Sequence, residues 1–255
     1  MRFPAILLLS AIAWTGVACV KSAPIGPDGK AAADSVAAAP GSMADSLRVA
    51  GFPVDSLPEA DRADRYSHLT DEDFRIVAEE LGVEIAAIKA VVLIEAGKQM
   101  KGFFAPGVPV INFDRSMYRS QAPRAKNKKG DKSAKVPAGL SGYALREWTQ
   151  LVNARKVNSD GANMGTFWGM FQIGGFNYKQ CGCSDVNEFV RIMSESEFSQ
   201  LELFAKFITN TGMLSDLKAK NWAGFARKYN GASYKRRGYH TKMAAAYRKF
   251  KSEAK

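Results

Sequence analysis

Among the 255 residues, Glu95 is the one whose type and position most clearly suggest chemistry. It follows Ile88 by seven residues, Val91 by four and Val92 by three. On a helix those spacings share one face, so a carboxyl group sits in line with three aliphatic side chains. Glutamate is almost never buried without a partner. It also stands at a helix C-terminus, where the dipole disfavours negative charge by roughly 0.3–1 kcal/mol, less than one pK unit. Desolvation is the larger effect, because it moves an enclosed carboxyl by several units. A glutamic acid that keeps its proton near neutral pH is equipped to protonate a leaving oxygen, as in glycosidic bond cleavage. The alternative is an exposed Glu at a fraying helix end, paired with Lys98 or Lys101.

Two later stretches suit a carbohydrate ligand. Trp168-Gly-Met-Phe-Gln-Ile-Gly-Gly-Phe-Asn-Tyr178 mixes aromatic rings, glycines and the amides Gln172 and Asn177. Tyr229-Asn230-Gly231 is a second aromatic–amide–glycine turn. Glycine permits close backbone approach, rings stack on sugars, and amides bond hydroxyl or N-acetyl groups. Each cluster alone is a weak signal, since aromatic and glycine clusters are more often core and turns. Their order after a helix-end Glu strengthens the functional reading. Asp160, in Asn158-Ser-Asp-Gly161, is a further carboxylate, but that tetrapeptide reads first as a turn.

The elements that must position these residues are helical. Thr70 is an N-cap followed by Asp71, Glu72 and Asp73 in the first turn. Phe74, Val77, Ala78 and Leu81 form the apolar stripe of that helix, and Gly82 ends it. A second helix runs from about Glu84 to about Gly97. Further helices are predicted at Ala138–Asn153, Val186–Met193, Glu195–Thr209, Met213–Ala219, Trp222–Tyr229 and Tyr239–Ser252. Val108–Phe113 is the best strand signal, as a short hairpin or an extended segment. Arg119–Lys135 holds seven basic residues and one acid, and reads as a mobile surface loop. The predicted class is mainly α with a small extended or β segment.

Composition narrows the chemistry. Three cysteines are too few for a disulfide scaffold, and two histidines, His68 and His240, make a His-built metal site a poor fit. Cys181 and Cys183 flank Gly182, too close for a relaxed disulfide, and packing or a turn is the better reading. No cofactor or metal is expected. The net charge is +11, from 36 basic and 25 acidic residues. Residues 1–68 carry 6 basic and 7 acidic groups, which leaves 30 and 18 for residues 69–255, a net +12. That asymmetry points to an anionic partner for the C-terminal part. Nucleic acid ranks low, because the basic residues are scattered outside one loop.

The first residues read as an address. Met1-Arg2 is basic, Phe3–Val17 is apolar, and Gly16-Val-Ala-Cys19 follows, the pattern of a bacterial secretory signal. Small residues before a cysteine resemble the lipobox of bacterial lipoproteins, in which Cys19 becomes the lipidated first residue; Gly16 stands where Leu is usual. The alternatives are a signal removed without lipidation and a retained anchor helix. Residues 20–67 are an Ala- and Pro-rich linker with too little apolar surface to fold alone. The expected organisation is a signal at 1–19, a linker at 20–67 and a catalytic domain at 68–255.

Four segments resemble the N-acetylmuramidase family of modular phage endolysins and bacterial cell-wall proteins. They are Leu81-Gly-Val-Glu-Ile-Ala-Ala-Ile-Lys-Ala-Val through Glu95, Trp168 through Lys179, Trp222-Ala-Gly-Phe-Ala-Arg-Lys-Tyr-Asn-Gly231, and Gly238-Tyr-His-Thr-Lys-Met-Ala-Ala-Ala-Tyr247. The Phe-Gln-Ile and Tyr-Asn-Gly elements are also similar to those of soluble lytic transglycosylases and goose-type lysozymes. The resemblance implies a lysozyme-like helical domain that cleaves peptidoglycan between N-acetylmuramic acid and N-acetylglucosamine. It implies Glu95 as the catalytic acid and a cleft lined by Phe171, Gln172, Tyr229 and Asn230. The family's Phe-Glu-x-His motif corresponds here to Phe113-Asp114-Arg115-Ser116. The second carboxylate is therefore Asp114, one methylene shorter, and the histidine is missing. Together with the N-terminal signal, the expectation is a monomeric, exported enzyme, periplasmic or held at the outer membrane through Cys19. The alternatives are a lytic transglycosylase that leaves anhydro-muramic ends, and a catalytically silent wall-binding lipoprotein.

Overall fold

The computed structural model describes residues 69–97 and 101–253. The predicted signal, Cys19, His68 and the linker lie outside them. Helix α1 (Asp71–Leu81) forms as its sequence requires. The Thr70 hydroxyl accepts the Asp73 N–H at 3.2 Å, and the Asp73 carboxylate accepts the Thr70 N–H at 2.7 Å. This reciprocal cap satisfies two donors that the first turn leaves free. Gly82 closes the helix at φ 61°, a conformation that costs glycine nothing.

Helix α2 (Ile85–Glu95) buries Ala86, Ala87, Ile88, Ala90, Val91 and Val92. It is covered on nearly all sides, chiefly by α1 and by the C-terminal helix α11 (Tyr239–Glu253). Its start is tied down by Glu84, which takes hydrogen bonds from the Tyr247 hydroxyl at 3.0 Å and from Lys251, and pairs with Lys220 at 2.6 Å. These partners hold the Glu84 carboxyl down at about 2.

The chain then makes a two-stranded hairpin, β1 (Phe103–Ala105) with β2 (Val108–Pro109). β3 (Ile111–Phe113) pairs antiparallel with β4 (Thr166–Trp168), which pairs with β5 (Ile173–Gly174). The strand signal at 108–113, read as a short hairpin or an extended segment, is thus divided between two sheets at Val110. The free edge of β3 is closed by side chains from α4 (Gly142–Arg155). The Tyr143 hydroxyl donates to the Ile111 carbonyl at 3.2 Å, and Glu147 accepts the Phe113 N–H at 3.0 Å. One helical turn apart, these two residues satisfy backbone groups that a neighbouring strand would otherwise take.

The basic segment departs from expectation. Its first residues belong to helix α3 (Arg115–Gln121) and to a 3-10 turn at Ala122–Arg124. Further along it is stapled rather than loose. Asp131 N–H donates to the Arg155 carbonyl at 2.9 Å, and Ser159 N–H to the Lys129 carbonyl at 3.1 Å. Gly130 lies so close to Lys156 that a Cβ there would stand 2.2 Å from its carbonyl oxygen. The expected turn at 158–161 is instead the start of helix α5 (Ser159–Met164), with Asn158 as its N-cap. Helices α6 (Val186–Met193), α7 (Glu197–Asn210), α8 (Leu214–Lys218), α9 (Trp222–Asn230) and the short α10 (Tyr234–Arg237) complete the core. Among the described residues, no helix is long and apolar enough to cross a membrane.

Candidate active site

Glu95 is the last residue of α2, directly beyond Val91 and Val92, whose side chains are fully buried. Its own side chain is only half-buried, yet its carboxyl is surrounded by protein on almost every side. The side chain therefore combines an enclosed carboxyl with some remaining solvent access. Burial is the dominant influence and pushes the carboxyl up to about 7. A hydrogen bond from Asn230 Nδ2 at 2.9 Å pulls weakly the other way. The acid therefore keeps its proton in a pH range where an ordinary glutamate has lost it.

Asn230 ends α9, and Gly231 follows at φ 71° to turn the chain away. Its neighbour Tyr229 donates its hydroxyl proton to the Phe171 carbonyl at 2.7 Å. Burial, and then the nearby Glu95, raise the Tyr229 hydroxyl well above its ordinary range, so it stays a donor. Its ring stacks on Phe225 at 5.9 Å and meets Phe204 edge-on at 5.7 Å. Glu95, Asn230, Tyr229 and Phe171 thus form one connected group.

Phe171 joins that group through its carbonyl. Its ring is 2% exposed and stacked on Phe204 at 4.4 Å, so it belongs to the core and not to the sugar-facing surface expected from sequence. Gln172 is half-buried at φ 50°, a left-handed conformation that costs a non-glycine residue on the order of 1 kcal/mol. Its Nε2 donates to the Gly169 carbonyl at 2.8 Å, which fixes the side chain on its own turn.

The remaining candidates have structural partners. Asp114 is the N-cap of α3: it accepts the Met117 N–H at 2.8 Å through Oδ1. Its backbone N–H donates to the Gly165 carbonyl at 3.1 Å, which ties Asp114 to the end of α5 as well as to α3. Asp160 is buried and accepts from Asn187 Nδ2 at 3.0 Å. Cys181 and Cys183 are free, buried thiols, both pushed up by burial. Among the described residues, no group of three or more His, Cys, Asp or Glu could hold a metal ion.

Two polar residues on α7 were missed by sequence reasoning. Glu197 is 3% exposed and accepts the Gly102 N–H at 2.7 Å; Gln200 is fully buried and bonds three separate backbone segments. The signal for Gln200 was its place among Leu201, Leu203, Phe204 and Ile208 on the buried face of the helix.

The N-acetylmuramidase family profile matches residues 84–251. The structure is similar to the crystal structure of the Burkholderia AP3 phage endolysin. The two chains are 37% identical with a TM-score of 0.61, and the match covers 74% of this chain and 72% of that one. No curated protein matches the chain.

Proposed function

Because the chain belongs to the N-acetylmuramidase family, we propose that it cleaves the peptidoglycan glycan strand between N-acetylmuramic acid and N-acetylglucosamine, with Glu95 as general acid. The family and the endolysin likeness support a peptidoglycan hydrolase. The single observation that carries the finer reading is the state of Glu95: a helix-end acid in an enclosed but open position, protonated up to about 7. Such an acid donates its proton to the glycosidic oxygen as the bond to the anomeric carbon breaks. Asn230 then steadies the carboxylate that remains, through the hydrogen bond it already makes. Water then attacks the anomeric carbon and loses its proton to the second oxygen of Asp114, which serves as the base because Oδ1 is taken up by the Met117 N–H, and Glu95 regains its proton from solvent. A net +12 on the domain suits an acidic wall polymer as substrate. Lipidation of Cys19 would hold the enzyme near that substrate and raise its effective concentration.

The test is a zymogram on purified sacculi with the wild type and Glu95→Gln, followed by mass analysis of the released fragments. Loss of lysis by a folded Glu95→Gln protein, with wild-type products that carry reducing ends, is expected. Near-normal lysis by that variant would remove Glu95 from the mechanism. Binding of sacculi by the wild type without fragment release would make the protein a wall-binding module. One observation favours a second enzymatic outcome: Asp114 is engaged as a helix cap, which leaves the acid and base roles to Glu95. A lytic transglycosylase uses one Glu as acid and then base, and its fragments end in anhydro-muramic acid.

A further inference from the structure

Helix α4 ends on a cation that pairs with no carboxylate among the described residues. Arg155 is enclosed by protein on almost every side, and burial pulls its guanidinium down to about 10. It is still charged at neutral pH. Its Cζ lies over the ring of Trp148 at 5.6 Å and over that of Trp168 at 5.5 Å. The two rings meet edge-on, their centroids 6.2 Å apart. Nε donates to Asn163 Oδ1 at 2.8 Å. Asn163 Nδ2 donates to Asn187 Oδ1, and Asn187 Nδ2 to Asp160 Oδ1, each at 3.0 Å. This relay joins α4, α5 and α6 and keeps the Asn163 oxygen turned to the guanidinium. The carboxylate at its far end, Asp160, is two amides away. Asp131, whose charge acts on Arg155, is exposed and directs its Oδ1 to the Ser133 N–H at 2.9 Å and hydroxyl at 2.6 Å. Among the described residues, Nη1 and Nη2 of Arg155 have no hydrogen-bond or ion-pair partner. Neither nitrogen is sealed from solvent.

Arginine is almost never buried unpaired, and an uncompensated buried charge costs stability. Packing alone is better served there by an apolar side chain of similar length. Two rings and an amide relay instead hold the guanidinium in place with its paired terminal donors open. We propose that Arg155 is the centre of a second binding site, which takes a single carboxylate through the N–H groups of Nη1 and Nη2. Two parallel bonds from those nitrogens match the two oxygens of a carboxylate. One cation with Asp131 in its field suits a singly charged, planar anion better than a dianionic phosphate. A stem peptide of the wall as the source of that carboxylate rests on the hydrolase reading; the site itself does not depend on Glu95.

The test is calorimetric titration at pH 7 and fixed ionic strength of the wild type, Arg155→Met, Arg155→Lys and Glu95→Gln, each shown to be folded by thermal unfolding. The probes are N-acetyl-L-alanyl-D-isoglutamine, which carries one carboxylate, the same peptide with that carboxylate amidated, and inorganic phosphate. The wild type and Glu95→Gln should bind the acid peptide equally and the amidated one not at all. Arg155→Lys keeps the charge without the fork and should bind about tenfold more weakly; Arg155→Met should not bind. Equal binding of the acid peptide by wild type and Arg155→Met, equal binding of acid and amide, or no binding by the wild type overturns the proposal. Tighter binding of phosphate than of the acid peptide overturns the carboxylate assignment. If Arg155→Met does not fold, the ratio between wild type and Arg155→Lys decides, and a ratio near one is the refuting result. Peptide binding by a wild type that fails to lyse sacculi would refute the hydrolase reading and leave the Arg155 site standing.

Discussion

Replacing Glu95 by Gln should do two opposite things, and the second is a sharper test of the burial argument than the loss of lysis. The carboxyl is held at about 7 against an ordinary 4.5. The folded state therefore binds the proton more tightly than the unfolded chain. Folding stability falls as pH rises from about 4.5 to about 7 and is level above that. The shift of about 2.5 units corresponds to about 3 kcal/mol at 1.36 kcal/mol per unit. Some solvent contact at the half-buried side chain reduces this to about 1–3 kcal/mol. A Gln at the same place is neutral at every pH and can still accept from Asn230. Glu95→Gln should therefore match wild type in stability at pH 4 and exceed it by about 1–3 kcal/mol at pH 8. For a domain of this size that is about 3–10 °C in melting temperature. Thermal and urea unfolding at pH 4, 6 and 8 under constant ionic strength would measure it. A variant no more stable at pH 8, or with the same advantage at pH 4, would refute the claim that burial raises the acid.

Three further outcomes are expected. Asp114→Asn keeps the helix cap, so its unfolding midpoint should move by less than about 0.5 kcal/mol, while hydrolysis falls about 100-fold if the second oxygen orients water; an unchanged rate would mean that Asp114 is a cap alone. Gln172→Gly removes a left-handed non-glycine residue, so urea unfolding should show unchanged or higher stability, by up to about 1 kcal/mol, alongside slower sacculus lysis. Glu84→Gln should cost about 1 kcal/mol at pH 7 and nothing at pH 2. The Glu84 carboxyl is depressed, so its contribution is complete above about 4.5 and disappears as pH falls through about 2. Unfolding curves at the two pH values would reveal a pH-independent difference if the argument is wrong.

The sequence spoke most clearly where the determinants are local. The Thr70–Asp73 cap and Gly82 bound α1 with no help from the rest of the chain. Glu95 was conspicuous because its spacing conflicted with its charge, and the same conflict is what burial acts on in the fold. α3 and α5 were hidden because they are short and largely polar, and distant partners hold them. Asp114 N–H reaches the Gly165 carbonyl, and the Asn158 amide reaches the Ala122 carbonyl. Val108–Phe113 reads as one extended run, but Val110 bonds to two segments and divides it between two sheets. Phe171 illustrates the ambiguity of aromatic residues: an aromatic ring beside glycines suits a sugar platform or a core, and only its stacking on Phe204 decides. Gln200 carried a legible signal, an amide on a buried helix face, but its three backbone partners come from segments that nothing local brings together.

The cover over α2 has a consequence for when the enzyme becomes active. Glu84 at the start of that helix is fastened to Tyr247 and Lys251, which lie 163 and 167 residues further along the chain. α11 also supplies much of the surface against which α2 packs. During synthesis, the helix that ends in Glu95 leaves the ribosome long before the helix that covers it. Until α11 emerges, α2 has α1 against it but lacks the larger part of its cover, and the surroundings of its terminal acid are incomplete. The surroundings of Glu95 are thus among the last parts of the domain to form, and a chain released before Tyr239 would carry every residue proposed for catalysis, Asn230 included, without the helix that packs along α2.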